Sequence, residues 1–253
     1  MQKNTQVFMH SILQQIQNIQ NRINKCCEKI GRNPAEVRLL LATKTVTAER
    51  ILTAFESGVT LIGENKIQEL KEKYDALKIH PHTHHFIGHL QSNKIKDILK
   101  YDVTCIQSID RLELAEKLHQ RLSATNRSID ILIQVNTSNE ASKFGVEPSK
   151  TIELVEQIAT LSTLKIKGLM TIGIFSGEEE KVRACFKTLK SLQQQIQVRS
   201  IPNVEMKELS MGMSGDLEIA IEEGATIIRV GTAIFGQRNY PDSYYWNETS
   251  SKK

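Results

Sequence analysis

Eight short apolar runs, separated by stretches with helical spacing, constrain the fold of this chain more than any other feature. The stretches between the runs place apolar residues three or four positions apart, as amphipathic helices do. The predicted strands are Val37–Thr43, Thr60–Ile62, His85–Gly88, Val103–Gln107, Ile129–Val135, Ile166–Ile172, Glu205–Ser210 and Ile227–Val230. Such alternation favours parallel strands joined by right-handed crossovers. Eight units of this kind predict a single (β/α)8 TIM barrel of the α/β class.

An amphipathic segment precedes the first predicted strand. Apolar residues recur at spacings of three and four from Phe8 to Ile23, which predicts an extra N-terminal helix that ends near Gly31.

The main alternative to a barrel is a doubly wound open sheet. No G-x-G-x-x-G motif follows the first strand, so the dinucleotide-binding form of that alternative lacks its strongest signal. We therefore assign residues 1–240 to one barrel domain and residues 241–253 to a short polar tail.

Composition excludes several classes of function. The net charge of +4, from 33 Lys and Arg against 29 Asp and Glu, is too weak and dispersed to indicate nucleic acid binding. No apolar stretch approaches the ~18 residues of a membrane span, and the N-terminus lacks the apolar core of a signal peptide. The four cysteines form no C-x-x-C pair, and Pro81 interrupts the histidines between His80 and His89, so no disulfide framework and no metal site are expected. A cytoplasmic protein without membrane or nucleic acid partners is predicted.

Lys44 directly follows the first predicted strand, at the end of the barrel that carries chemistry. Side chains alternate along a strand, so Leu40, Ala42 and Lys44 share a face, and an inward orientation of that face brings the lysine into the barrel mouth. Loss of hydration there lowers the pKa of an amine and makes it a nucleophile toward a carbonyl carbon. The simpler alternative is a lysine that leaves the core at a strand end and reaches water.

Two glycine-containing loops follow the last two predicted strands, at Leu209–Ser214 and Arg229–Gly236. Barrels commonly hold phosphate there, because glycine lets backbone N–H groups approach the anion and a following helical turn adds its positive end. Arg229 shares a strand face with Gly231, so an inward glycine implies an inward arginine; the alternative is a salt bridge inside the barrel. Together with Lys44, these loops predict a ligand with both a phosphate and a carbonyl group.

Six motifs occur in order along the chain: Leu41–Lys44, Gly63–Asn65, His85–Lys94, Lys167–Met170, Ser210–Ser214 and Arg229–Gly236. In these motifs the chain resembles the pyridoxal-phosphate homeostasis protein family, which is related to the N-terminal barrel of alanine racemase. The resemblance runs from about Asn4 to Tyr240. Jointly the motifs are specific, although the G-x-x-x-x-G spacing in the last one is common by itself. His89 lies where some relatives carry proline and is given no role.

The resemblance implies a cofactor and its binding residues. Pyridoxal 5'-phosphate, the vitamin B6 cofactor, is expected to form an aldimine with Lys44. The resemblance implies that Ser210, Gly231 and Thr232 hold the phosphate. It also implies that Arg229 faces the pyridine nitrogen and that Asn65 lies near the ring. No catalytic residue is assigned, and the chain is expected to be a monomer.

Arg229 also bears on the expected function. Arginine cannot take the pyridine proton and disfavours it electrostatically, so the ring becomes a weak electron sink. Racemisation needs a second acid/base, which alanine racemase takes from a further domain that this chain is too short to contain. The expected function is therefore to buffer or deliver pyridoxal phosphate, with cofactor-dependent apoenzymes as candidate recipients. A racemase or lyase that uses Tyr74, Tyr101 or His89, and a barrel enzyme for another phosphorylated metabolite, remain alternatives.

Overall fold

The computed structural model describes residues 2–140, 142–174 and 176–236, with side chains from residue 11 onward. Eight parallel strands, β1 to β8, close into a barrel in chain order. They are β1 Arg38–Ala42, β2 Leu61–Glu64, β3 Thr83–Phe86, β4 Cys105–Ile109, β5 Ile129–Gln134, β6 Leu164–Met170, β7 Val204–Ser210 and β8 Ile227–Val230. The (β/α)8 prediction is confirmed. The predicted tail, residues 241–253, lies outside the described residues.

Helices occupy the crossovers between these strands, and two further helices precede β1 and follow β8. They are α1 Gln2–Lys29, α2 Ala48–Phe55, α3 Ile67–Leu77, α4 Ile95–Ile98, α5 Leu112–Ser123, α6 Thr151–Ala159, α7 Glu179–Gln197, α8 Leu217–Glu222 and α9 Thr232–Phe235. The predicted helix over residues 93–99 is divided, because a 3-10 turn at Ser92–Lys94 precedes α4. Along the described parts of the chain, no helix combines the length and the apolar character that a membrane span needs.

The third strand begins two residues earlier than the sequence predicts. Thr83 and His84 pair with Leu61 and Ile62 of β2 although neither is apolar, so an apolar run could not reveal them. The strand ends at Phe86, and Gly88 then packs so closely on β2 that a Cβ atom there would lie 2.0 Å from the backbone oxygen of Asn65. A glycine is therefore needed where the chain leaves the sheet.

The extra N-terminal helix is also confirmed. Ile12, Ile16, Ile19 and Ile23 of α1 are buried in the main hydrophobic core, on the face that the sequence spacing predicts. Two ion pairs join α1 to α8: Arg22 with Glu218, and Lys29 with Glu222. The helix thus covers the side of the barrel next to the loop that follows β7.

Strand alternation separates the barrel interior from the layer under the helices. Leu39 and Leu41 belong to the large core that includes the helix residues, whereas Leu40 packs in a small separate cluster with Leu61 and Ile227. A second small cluster contains Cys105, Leu132 and Met170. These strand residues fill the lower part of the barrel and leave its carboxyl-terminal end to polar side chains.

Candidate functional site

A cavity of about 840 Å³ opens at the carboxyl ends of the strands, where barrels of this kind carry their ligands. It brings together five of the six residues that the sequence singles out. They are Lys44, Asn65, Arg229, Gly231 and Thr232. The sixth, Ser210, does not line the cavity.

Lys44 follows β1 and points into the cavity with only 7% of its surface exposed. Its two neighbours in the chain are held from α3. Lys73 donates to the backbone oxygen of Thr43 at 2.8 Å, and a carboxylate oxygen of Glu69 accepts the N–H of Thr45 at 2.6 Å. Thr45 adopts a left-handed backbone conformation (φ 64°), which is uncommon for a β-branched residue. These bonds fix the backbone on both sides of the lysine.

A buried ionic cluster supports this arrangement from behind. Lys73 contacts both Glu64 and Glu69 at 2.7 Å, and the hydroxyl of Thr43 donates to Glu64 at 2.6 Å. Burial raises the pKa of Glu64 to about 7 even though Lys73 opposes the shift. No sequence motif predicted a role for these residues. The spacing of Glu69 and Lys73 by four residues on α3 was the one available signal.

Asn65 reaches the cavity from the end of β2. Its side-chain oxygen is buried and has no hydrogen-bond partner among the described residues. An unpartnered buried polar atom is costly, so this amide suits a polar group of a ligand. The close packing of Gly88 on the Asn65 backbone fixes the position from which the side chain extends.

The loops after β7 and β8 meet at the cavity beside the end of β1. The hydroxyl oxygens of Ser214 and Thr232 lie 3.4 Å apart, and Gly231 stands between β8 and the turn α9. Gly231 packs on β1: a Cβ atom at this residue would lie 3.0 Å from the backbone oxygen of Ala42. Two hydroxyl groups beside a glycine and the first N–H groups of a helical turn make an arrangement that suits an oxyanion.

The structure places Ser210, for which the resemblance implied a phosphate contact, outside the cavity lining. Ser210 is fully buried at the end of β7; its hydroxyl donates to Gln107 at 2.6 Å and accepts from Arg229 at 2.8 Å. Ser210 ends a strand and points into the barrel below the cavity. Ser214, four residues later in the loop, presents the hydroxyl to the cavity instead. Of the two serines in the motif, the sequence did not reveal which one lines the cavity.

Arg229 forms the floor of the cavity on the β8 side. Its guanidinium is buried and donates to the hydroxyl of Ser210 and, at 2.7 Å, to the backbone oxygen of Thr171. Burial lowers the pKa of Arg229 to about 10, a shift that the charge of Asp216 opposes. The group therefore remains a cation at neutral pH. Arg229 lines the cavity, and no salt bridge of Arg229 is found in the described part of the chain.

The far side of the cavity was not anticipated. It is formed by loops after β5 and β6, with Lys143 donating to Glu140 at 2.6 Å and to the backbone oxygen of Gly173 at 2.9 Å. Phe144 stands half exposed at the rim and stacks on His89, with ring centroids 3.8 Å apart. The loop has no apolar periodicity and no glycine motif, so nothing in the sequence singled it out.

The residues considered as a second acid/base are not part of the cavity lining. Tyr74 donates to Asp102 at 2.7 Å and packs edge-on against Tyr101. His89 stacks on Phe144 at the rim, and its Nδ1 lies 3.9 Å from a carboxylate oxygen of Asp110. Within the described ranges, no group of three or more His, Cys, Asp or Glu residues could hold a metal ion.

The chemistry of the lining suits one type of ligand. A buried amine, a buried amide oxygen without a partner, a pair of hydroxyls beside glycine and a fixed guanidinium lie around one cavity. They match a carbonyl carbon, a ring substituent, a phosphate and a heteroaromatic nitrogen that accepts a hydrogen bond. The residues present thus fit a phosphorylated aromatic aldehyde.

Comparisons with known proteins agree over nearly the whole chain. The alanine racemase N-terminal domain matches residues 15–239. The pyridoxal phosphate homeostasis protein of Aquifex aeolicus is 43% identical over 227 residues, which make up 90% of this chain and 98% of that protein. Among solved structures, an unknown protein from Bifidobacterium adolescentis has a TM-score of 0.88 and 38% identity, covering 90% of this chain and 96% of that one.

A second solved structure, PipY of Synechococcus elongatus with pyridoxal phosphate bound, has a TM-score of 0.74 and 32% identity. The match covers 85% of this chain and all of that chain (100%). These relatives are similar in length as well as in sequence. The chain therefore belongs to the alanine racemase N-terminal domain family and, within it, to the pyridoxal phosphate homeostasis proteins.

Proposed function

We propose that this protein binds pyridoxal phosphate in the cavity at the carboxyl ends of the strands and buffers or delivers it, maintaining the supply of the cofactor. The observation that carries the proposal is the position of Lys44. A buried lysine shares one cavity with paired hydroxyls beside glycine and with a fixed arginine. The PipY structure with bound pyridoxal phosphate, at 32% identity, supports the same ligand.

The proposed link to the ligand is covalent. The amine of Lys44 attacks the aldehyde carbon, a carbon–nitrogen double bond forms, and the aldehyde oxygen leaves as water. The amine must be deprotonated when it attacks, and Lys44 lies at the cavity with 7% of its surface exposed. Hydrolysis of the same bond, or attack by another amine, returns free Lys44 and releases the ligand.

The remaining residues hold the ligand without covalent chemistry. We assign the phosphate to Gly231, Thr232 and Ser214, with Ser214 in place of the Ser210 that the sequence predicted. Arg229 faces the pyridine nitrogen, and Asn65 serves a polar group of the ring.

Binding rather than turnover is the proposed role because of Arg229. Bound pyridoxal phosphate supplies an electron sink, whose strength depends on a protonated pyridine nitrogen. A cation held at that nitrogen disfavours its protonation. A second acid/base would have to come from the other titratable residues that line the described cavity. Both of these already have partners: Asp216 accepts the N–H of Met213 at 2.6 Å, and Lys143 donates to Glu140. Neither Tyr74 nor Tyr101 reaches the lining.

The proposal extends to the protein's setting. We propose that residues 1–240 form the ligand-binding domain, with residues 241–253 as a tail outside it. The protein acts as a cytoplasmic monomer, and its recipients are apoenzymes that depend on pyridoxal phosphate. The four buried, unpaired cysteines support a reducing compartment.

An absorption spectrum tests the proposal. Purified protein incubated with pyridoxal phosphate should develop a yellow chromophore that borohydride removes, and should release the ligand when a competing amine is added. A panel of L- and D-amino acids should show no steady turnover. A protein that stays colourless would remove the cofactor assignment, and steady racemisation would favour the racemase alternative over the homeostasis role.

A further inference from the structure

Arg229 is the first member of a buried hydrogen-bond chain that runs down into the barrel. Its guanidinium donates to Ser210 at 2.8 Å, Ser210 donates to Gln107 at 2.6 Å, and Gln107 contacts a ring nitrogen (Nδ1) of His85 at 2.7 Å. All four residues are buried, with 0–6% of their surface exposed. The chain crosses the barrel from β8 through β7 and β4 to β3, well below the residues that line the cavity mouth.

With the Gln107 amide oriented as in this structure, its oxygen toward Ser210 and its nitrogen toward His85, this hydrogen-bond chain permits one arrangement of protons. Arginine has only donors, so the Ser210 oxygen must accept from Arg229, and its own proton must go to the Gln107 oxygen. The Gln107 nitrogen is then left to donate to Nδ1 of His85, which requires a neutral ring with an unprotonated Nδ1. Burial lowers the pKa of His85 to about 3, which agrees with that requirement. Each hydrogen bond in the chain therefore determines the next.

This hydrogen-bond chain fixes the orientation of the Arg229 side chain. An arginine side chain has several rotatable bonds, and a buried guanidinium that no carboxylate contacts needs fixed acceptors. Ser210 takes one nitrogen and the backbone oxygen of Thr171 takes the other. With both terminal nitrogens held from below, the rest of the planar group is presented to the cavity in one orientation.

We propose that Ser210, Gln107 and His85 are positioning residues that lock the Arg229 guanidinium toward the ring nitrogen of the bound ligand. The identity of that ligand rests on the proposed function, whereas the positioning of Arg229 does not. The chain also gives the fully buried Ser210 a role in place of the phosphate contact. Loss of any link leaves a buried polar group without its partner and allows the guanidinium to rotate.

The first test uses the protein without ligand. Arginine side-chain NMR with 15N and 13C labels reports rotation of the guanidinium, and the Arg229 signal is assigned from its loss in Arg229→Lys. Ser210→Ala should convert a slowly rotating Arg229 group into a fast one, and Ser210→Thr, which keeps the hydroxyl, should restore slow rotation. Ser108→Ala is the matched control, because Ser108 is a buried serine next to Gln107 whose hydroxyl has no partner in the described structure.

The second readout uses the full chain with pyridoxal phosphate labelled with 15N at the ring nitrogen. Ser210→Ala, which removes a hydrogen bond to the charged Arg229, should weaken binding roughly tenfold, and Gln107→Met, which acts through Ser210, should weaken it several-fold. They should also shift the 15N resonance and its pH dependence, while Ser108→Ala and Ser210→Thr match the wild type. Thermal melts of all variants check that the fold persists.

The two readouts separate the possible failures. If Arg229 rotates at the same rate in Ser210→Ala as in the wild type, the positioning proposal is wrong whatever the ligand. If rotation changes as expected but the wild-type protein does not bind pyridoxal phosphate, the positioning proposal stands and the proposed function fails.

Discussion

Lys73 donates a hydrogen bond to the backbone oxygen of Thr43, 2.8 Å away, and so ties α3 to the residue that precedes the proposed ligand-binding lysine. The same ammonium neutralises Glu64 and Glu69, whose carboxylates hold Thr43 and Thr45 in turn. A strand end in most proteins is free to move because no ladder continues beyond it. In this protein the charged side chains of Lys73, Glu64 and Glu69 hold the backbone on both sides of Lys44.

Removing the ammonium should therefore affect both stability and the site. Lys73→Met leaves Glu64 buried without a cation, and we expect a loss of about 3–5 kcal/mol in the free energy of unfolding. Lys71→Met, two residues earlier at an exposed position of α3, is the control and should cost less than about 0.5 kcal/mol. Urea unfolding of the three proteins measures both values. Equal stability of the two variants would mean that the cluster does not hold the strand end.

Acid should destabilise the protein through its buried histidines. Burial, together with the neighbouring basic groups His82, His85 and Lys73, lowers the pKa of His84 from 6.5 to about 3. Between these values the unfolded chain binds a proton that the folded protein does not, so stability is complete above pH 6.5 and is lost as the pH falls toward 3. The contribution of one such histidine is up to about 1.4 kcal/mol per pH unit.

Replacing His84 should flatten this dependence. In His84→Phe, the free energy of unfolding should fall less steeply between pH 6.5 and pH 3 than in the wild type. His80→Phe changes an exposed histidine and serves as the comparison. Chemical unfolding at a series of pH values measures the slopes. Parallel curves for His84→Phe and the wild type would show that His84 is not the buried, neutral group described above.

The proposed phosphate loops can be tested by a substitution at Gly231. Gly231→Val should weaken binding of pyridoxal phosphate by tenfold or more, because its Cβ atom would lie 3.0 Å from the backbone oxygen of Ala42 and push the loop away. Gly177→Val is the control, since a Cβ atom at that exposed glycine meets nothing within 4 Å.

Ser214→Ala should weaken binding of pyridoxal phosphate several-fold but leave binding of pyridoxal, which lacks the phosphate, unchanged. Titrations with both compounds measure the difference. A Ser214→Ala variant that loses affinity equally for the two compounds would remove Ser214 from the phosphate site.

The sequence predicted the barrel because its signal is local and repeated. Strand β8, Ile227–Val230, was predicted without error, since it is wholly buried and bounded by turns. Strand β3 was displaced, because its first two residues, Thr83 and His84, are polar and pair with β2 through contacts that apolar periodicity does not register.

The sequence could predict those site residues whose orientation follows from their place at the end of a strand. Lys44 and Arg229 were placed by alternation along a strand, which depends on sequence alone. The choice between Ser210 and Ser214 depends on where β7 ends and the loop begins, a boundary that only pairing with β6 and β8 determines. The bonds that link Lys73 to Thr43 and Gln107 to Ser210 join residues 30 and 103 positions apart, and no local pattern encodes them.

The central claim is that Lys44 carries the ligand. Lys44→Ala should abolish the covalent link yet keep weaker, non-covalent binding, because Ser214, Gly231, Thr232 and Arg229 remain. The fold should persist, since a lysine at a strand end contributes little to the core.

The most direct test is peptide mapping of the wild-type protein after borohydride reduction in the presence of pyridoxal phosphate. We predict that the pyridoxyl group is found on the peptide that contains Lys44. The sharpest rival is Lys143, which lines the far side of the same cavity. Recovery of the label on Lys143, or on any lysine other than Lys44, would contradict the account of the site.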